Sequence, residues 1–239
     1  MPFAEFAHHA VALERWLLPA ECLLCQAPIV EREQDPLVCA LCRSRWRRVP
    51  DPVCERCGQP AMPGLDCRIC AGWPDAMGRV RSAVWLDGNA RDAVHRLKYD
   101  GWWRVADAMA AAMRGLEPVR ERSVLVPIPL SGSRQRRRGY NQAERIAGAL
   151  GALRGLGSRA GLLTRVRETS TQTALTPEER QANVAGAFRA GAVRGLRLVL
   201  VDDVFTTGAT LVAAATALME AGATHVDAIT FARANLPVG

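Results

Sequence analysis

Lysine is almost absent from this chain. Of its 31 basic residues only Lys98 is a lysine, and the others are arginines. A GC-rich genome that favours Arg and Ala codons accounts for most of that bias. A lone lysine still stands out, because a guanidinium does not replace a compact ammonium where one is required. Long apolar runs are missing too: none reaches the roughly 18 residues of a membrane span. The opening "MPFAEFAHHAVALERWLLPAEC" is broken by Glu5, Glu14 and Arg15 and has no basic n-region, so it does not read as a secretory signal. The expectation is a cytoplasmic protein that does not insert in a membrane. The same lack of an export signal argues against a disulfide framework, which needs an oxidising compartment.

What is present is a 239-residue chain, 49% hydrophobic, long enough for one large or two modest domains with a packed core. Its net charge of +7 suits an anionic partner, either phosphates or nucleic acid.

All eight cysteines fall in CxxC pairs: Cys22/Cys25, Cys39/Cys42, Cys54/Cys57 and Cys67/Cys70. A CxxC turn points two thiolates at one tetrahedral ion, and two turns complete a four-cysteine site. Eight thiolates therefore predict two structural zinc ions. A redox role would call for a thioredoxin-like unit around the pairs, and none is evident. Each ion would supply on the order of 10 kcal/mol to a segment too small for a large core of its own. Sequential sites, the first two pairs and then the last two, close the shortest loops; a crossed arrangement stays open. Gly58 suits a tight knuckle turn. Within "CRSRWRRVP", at 42–50, Trp46 lies among arginines. Base stacking with phosphate contact would use such residues, but a solvated basic face with one packed tryptophan is the plainer reading.

The Gly- and Pro-bearing stretch at 71–79 marks a boundary, giving a zinc-ribbon domain over 1–78 and a second domain over 79–239. In the second domain, apolar strand patterns lie at 79–86, 123–130, 196–203 and 225–234. Helical patterns lie at 90–101, 103–116, 141–153 and 209–222, with Asn141 as a cap. Strands that are apolar throughout and alternate with helices predict an α/β fold with a parallel sheet covered on both faces.

The stretch "LVLVDDVFTTGAT", at 198–210, carries the chemistry. Ligands of open α/β sheets bind at the carboxyl ends of strands, where Asp202 and Asp203 are expected. The helix that follows presents free N–H groups and a positive dipole end to an anion. Thr206, Thr207 and Thr210 add hydroxyls, Gly208 lets the backbone come close, and Ala209 opens the helix. No Walker lysine is present. Two carboxylates would repel a bare phosphate, but they suit a ligand that carries diol hydroxyls or a magnesium ion beside its phosphate. A ribose 5-phosphate is such a ligand.

This stretch closely resembles the phosphoribosyl-pyrophosphate (PRPP) motif of type I phosphoribosyltransferases. The wider chain resembles the ComF-type competence proteins, which couple a zinc ribbon to that transferase fold. The resemblance rests on the CxxC pairs, "HRLKYDG" at 95–101, "VPIPLSGSRQRRRGYNQAE" at 126–144, "TRVRETSTQTALTPEERQANVAGAF" at 164–188 and the PRPP motif. It implies a type I phosphoribosyltransferase-like sheet, PRPP and magnesium as ligands, and a role in natural transformation. It also implies single-stranded DNA and DNA-uptake proteins as partners.

On that resemblance Lys98, with Tyr99 and Arg138 beside it, would serve the pyrophosphate of PRPP. His95 is either a further donor or an ordinary helix-face residue. The polar stretch "RETSTQTALTPEER" at 167–180 would be a hood that excludes water, with Arg167, Gln172 and Arg180 reaching across. If the chain is an enzyme, pyrophosphate leaves C1 of the ribose through an oxocarbenium-like transition state, with Asp202, Asp203 and Lys98 as the catalytic groups. No general base for an acceptor is evident. A binding protein that senses PRPP or grips single-stranded DNA is therefore the alternative.

Overall fold

A computed structural model describes residues 21–29, 35, 37–60, 67–120, 122–168 and 184–235. Four strands form one parallel sheet: β1 (Val80–Trp85), β2 (Val124–Pro127), β5 (Arg197–Phe205) and β6 (His225–Arg233), in the order β1-β6-β5-β2. A small antiparallel ribbon pairs β3 (Leu163–Arg165) with β4 (Phe188–Ala190). The helices are α1 (Ala40–Ser44), α2 (Gly88–Tyr99), α3 (Val105–Met113), α4 (Gly132–Arg138), α5 (Gln142–Arg154) and α6 (Ala209–Glu220). The predicted parallel α/β architecture is therefore present.

Period-two alternation explains the layering. In β5, Val199 and Val201 point into a core built with α2, α3 and α5, around Leu97, Met109 and Leu150. Leu198 and Leu200 point into the opposite core, around Leu211, Ala215 and Leu218 of α6. The two halves of the cysteine-rich segment split between these cores. Cys22, Cys39, Cys42 and Trp46 join the first, whereas Ile69, Trp73 and Met77 pack on the second. Trp46 is buried and meets Phe231 edge-on at 4.9 Å, which decides for the packed tryptophan over a base-stacking one.

Some elements depart from expectation. β5 continues past the aspartates, pairing with β6 as far as Phe205 opposite Arg233. Asp202 and Asp203 therefore lie within the last part of the strand, two residues short of its end, rather than as its final pair. The arginine run forms α4, which ends at Gly139 in the left-handed region. None of its side chains is buried, so no apolar period announced a helix. β3 and β4 are three residues each, too short for a periodic signal.

Asn141 caps α5 as expected, its Oδ1 accepting from the Ala143 amide at 3.0 Å. Gly58 has φ +69, and a β-carbon there would lie 2.6 Å from the Val80 carbonyl oxygen. Gly58→Ala therefore meets both left-handed strain and a backbone clash. It should lower the melting temperature by about 4–8 °C, the shift of ~2 kcal/mol at this size, as scanning calorimetry of the zinc-loaded protein would record.

Candidate functional site

The two metal sites come from local turns. Cys22, Cys25, Cys39 and Cys42 have their ligand atoms within 4.8 Å of one another, and so have Cys54, Cys57, Cys67 and Cys70. The pairing is sequential, not crossed. Sulfur separations of 3.7 Å for Cys25–Cys39, 3.6 Å for Cys54–Cys70 and 3.4 Å for Cys57–Cys67 approach the ~3.8 Å edge of a tetrahedron with Zn–S bonds near 2.3 Å. Both sets fit zinc. Burial pushes the Cys22 and Cys54 thiols up, but neighbouring backbone amides outweigh it and bring each down to about 7. Burial and neighbouring thiols push Cys70 up to about 12, a proton that a bound cation would displace.

The second site lies at the carboxyl ends of β2 and β5. Alternation sends Asp202 and Asp203 to opposite faces of the sheet. Asp203 turns toward α2 and α5 and is 3% exposed. Its Oδ2 faces the ammonium of Lys98, in the last turn of α2, and its Oδ1 accepts from Gln142 Nε2 at 3.3 Å. Arg138, at the end of α4, donates to Gln142 Oε1 and so completes a chain of four polar side chains. Tyr140 ties this corner together by donating its hydroxyl to the Leu97 carbonyl. Although desolvation opposes it, the Asp203 charge raises the Lys98 pKa. Desolvation likewise pushes Asp203 up, yet the Lys98 ammonium wins and holds it below the usual carboxylate range.

Asp202 is half-buried, and its Oδ1 accepts from the Asp203 amide at 2.9 Å. Burial and the adjacent Asp203 charge keep its pKa well above the ordinary value. Arg165 of β3 feels the Asp202 charge, though burial and Arg134 lower its own pKa.

Residues 206–210 carry the chain from β5 into α6. Gly208 sits at φ +83 as the N-cap, and no side chain caps the helix. The first amides of α6 are thus left for a ligand. Thr207 Oγ1 is buried with no hydrogen-bond partner among the described residues. Such a hydroxyl is costly unless something accepts from it or donates to it. Positive dipole, backbone amides and an orphaned hydroxyl together suit an anion.

Of the expected site residues, the structure brings together Asp202, Asp203, Lys98 and Arg138, with Thr206, Thr207 and Gly208 in the loop just beyond and Ala209 and Thr210 opening α6. Tyr99 lies at the rim, 65% exposed, with Arg138 5.6 Å above its ring. His95 is an exposed helix-face residue beside Asp100. Arg167 donates to the Ala185 carbonyl at 2.6 Å, bracing the base of the expected hood. Gln172 and Arg180 lie outside the described residues. Gln142 was not singled out from sequence; its position directly after the Asn141 cap was the only signal.

The raised pKa of Asp202 has a definite sign in stability. A carboxyl held protonated by the fold costs nothing at acid pH, and its cost grows as pH climbs above its unfolded value. Asp202→Asn keeps an acceptor for the Asp203 amide and removes that cost. The variant should melt about 3 °C above wild type at pH 8, the shift of ~1 kcal/mol. The gap should close as pH falls toward 4, as thermal melts across pH would show.

Comparison with known proteins agrees with this geometry. Residues 13–71 match the double zinc ribbon domain, and residues 112–236 match the phosphoribosyl transferase domain. The chain is 32% identical over 219 residues to the DNA utilization protein YhgH of Salmonella typhimurium, covering 88% of this chain and 95% of that one. It is 28% identical over 235 residues to the competence protein ComFC of Bacillus subtilis, covering 89% and 94%. Among solved structures, a B. subtilis glutamine PRPP amidotransferase complexed with ADP and GMP aligns at 26% identity with a TM-score of 0.36. That alignment covers 52% of this chain and 26% of the amidotransferase. With both domain matches and these full-length relatives, the chain belongs to the ComF-type family of double-zinc-ribbon, phosphoribosyltransferase-fold proteins.

Proposed function

We propose that this protein binds PRPP with magnesium at the carboxyl end of β5 and transfers its phosphoribosyl group to an acceptor during the handling of incoming DNA in the cytoplasm. One observation carries the reading: the orphaned Thr207 hydroxyl and the uncapped N-terminus of α6 stand directly after two adjacent carboxylates. The 5-phosphate takes residues 206–210, with hydroxyls from Thr206, Thr207 and Thr210 and amides from Gly208 and Ala209. Asp202 accepts from the ribose hydroxyls. Asp203 holds Lys98 at the site, and Lys98, Arg138 and Tyr99 flank the pyrophosphate. The domain division falls at 78/79, and the segment over 167–180 closes as a hood with Arg167, Gln172 and Arg180.

In the transfer step the bond from C1 to pyrophosphate breaks and its electron pair leaves with the pyrophosphate. The acceptor forms the new bond to C1 and gives up a proton. The carboxylates lie where positive charge develops on the ribose, so the protein acts mainly by preorganised electrostatics. Magnesium is an oxygen-seeking cation that Asp202 would help to hold, and when bound it would neutralise charge on the leaving pyrophosphate.

Calorimetric titration with PRPP and magnesium tests the reading against the double variant Asp202→Asn/Asp203→Asn. Saturable binding to wild type, weakened at least about ten-fold in the variant, is the expected result. Wild type that does not bind overturns it.

A non-catalytic, single-strand-binding role is favoured by a separate observation. Trp102 and Trp103 are each 42% exposed, Tyr99 stands nearby, Arg145 lies 4.5 Å over the Trp103 ring and Arg138 5.6 Å over Tyr99. Exposed rings with guanidinium partners make a stacking surface for unpaired bases. Anisotropy with a labelled oligo-dT should show binding that weakens with salt. Trp102→Ala/Trp103→Ala should cost roughly ten-fold or more, at ~1–3 kcal/mol per stacked base. Equal binding by this variant and wild type removes the surface from consideration.

A further inference from the structure

Arg233 ends β6 and is fully buried, 0% exposed. Among the described residues no carboxylate lies within ion-pair distance of it. An unpaired guanidinium in that position is too costly to keep without a compensating negative charge. Its contacts show where that charge is. Nη1 donates to the Cys57 carbonyl at 2.8 Å, Nε donates to Gln59 Oε1 at 3.0 Å, and Nη2 approaches Cys57 Sγ at 3.9 Å. Four thiolates around one divalent zinc carry a net charge of about −2. Arg233 is placed to balance the Cys54/Cys57/Cys67/Cys70 site.

The other side of the same guanidinium faces the loop. Its Cζ lies 4.1 Å above the ring of Phe205, the last residue of β5 before Thr206. The Ala234 amide, next to Arg233, donates to the Phe205 carbonyl at 2.8 Å. A second arm leaves the same zinc site: Trp73, whose amide donates to the Cys70 carbonyl at 3.1 Å, lays its ring on Gly208. A β-carbon on Gly208 would lie 2.4 Å from Trp73 Cζ2 and 3.0 Å from Phe205 Cε2. The loop is thus held at Phe205 and at Gly208 by residues anchored at one metal site.

We infer that Arg233 and Trp73 are positioning residues that make the second zinc site the support of the 206–210 loop, so that zinc at that site and an anion in the loop stabilise one another. The reciprocity is thermodynamic: if zinc tightens the loop around a phosphate, the phosphate tightens the zinc by the same factor. The part of this inference that concerns PRPP rests on the binding reading above; the structural support does not.

The test uses the full zinc-loaded chain as wild type, Trp73→Ala and Arg233→Met. Hydrogen–deuterium exchange is followed by mass spectrometry, and zinc release to a chromogenic chelator by absorbance. Amides over 205–212 should exchange about ten-fold faster in both variants, with those of β2 and α5 unchanged. Arg233→Met should lose one of its two zinc ions about ten-fold faster, the range for losing an outer-shell partner, and the other at the wild-type rate. PRPP with magnesium should slow release of that same ion from wild type and not from Trp73→Ala. Loop amides that exchange at the wild-type rate in the variants overturn the inference, and so does unchanged zinc release from Arg233→Met. If Arg233→Met does not fold, Trp73→Ala leaves every thiolate and Arg233 in place, and its loop exchange decides alone. Wild type that does not bind PRPP defeats the binding reading only, because the loop-exchange comparison and the Arg233→Met release comparison are made without it; wild type that binds PRPP yet releases that ion no more slowly overturns the inference.

Discussion

The burial of two adjacent carboxylates in the last part of β5 is the constraint around which this molecule is arranged. A strand cannot hide both on one side, because successive side chains alternate between faces. Asp203 therefore enters the side built by α2 and α5, where the chain's lone ammonium meets it and Gln142 takes its other oxygen. Asp202 is left on the opposite face, half-buried, where burial and its neighbour's charge raise its pKa well above the ordinary carboxylate range. One carboxylate is neutralised by the fold and the other is kept in reserve.

Lys98 is well suited to this position because of its shape as well as its charge. A compact ammonium approaches one carboxylate oxygen without demanding the planar, two-pronged geometry of a guanidinium. Arg138 is used differently, through Gln142, at the end of a short helix whose Arg136 and Arg137 remain in solvent.

The zinc ribbon is more than an appendage. Its first half shares a core with α2, α3 and α5, and its second half covers the α6 side. Isolated bridges continue the contact, such as Arg48 to Val84 at the β1 edge. A small segment that lacks a core of its own thus gains one from the sheet, while its metal ions fix the turns that make the contact. The buried Arg233 belongs to this exchange, its charge answered by thiolates rather than by a carboxylate.

Much of this was legible in the sequence because it is locally encoded. The CxxC turns, the apolar run of β5, the Asn141 cap and the glycine at 208 each act through neighbours a few residues away, so their spacing reports their structure. The sequential pairing of the cysteines was favoured by the same locality, and the structure closes the alternative. Tertiary structure alone decided the rest. α4 forms without an apolar face, and β3 and β4 are too short to show a period. Trp46 was ambiguous until Phe231, on the far strand, packed against it. The partnership of Lys98 with Asp203 joins α2 to β5, and that of Arg233 with Cys57 joins residues 176 positions apart. The sequence determined the parts list, two four-cysteine clusters and a threonine–glycine loop behind a pair of acids, because those are built from short-range turns. Which acid is neutralised and what braces the loop depend on burial, and burial exists only once distant segments have packed.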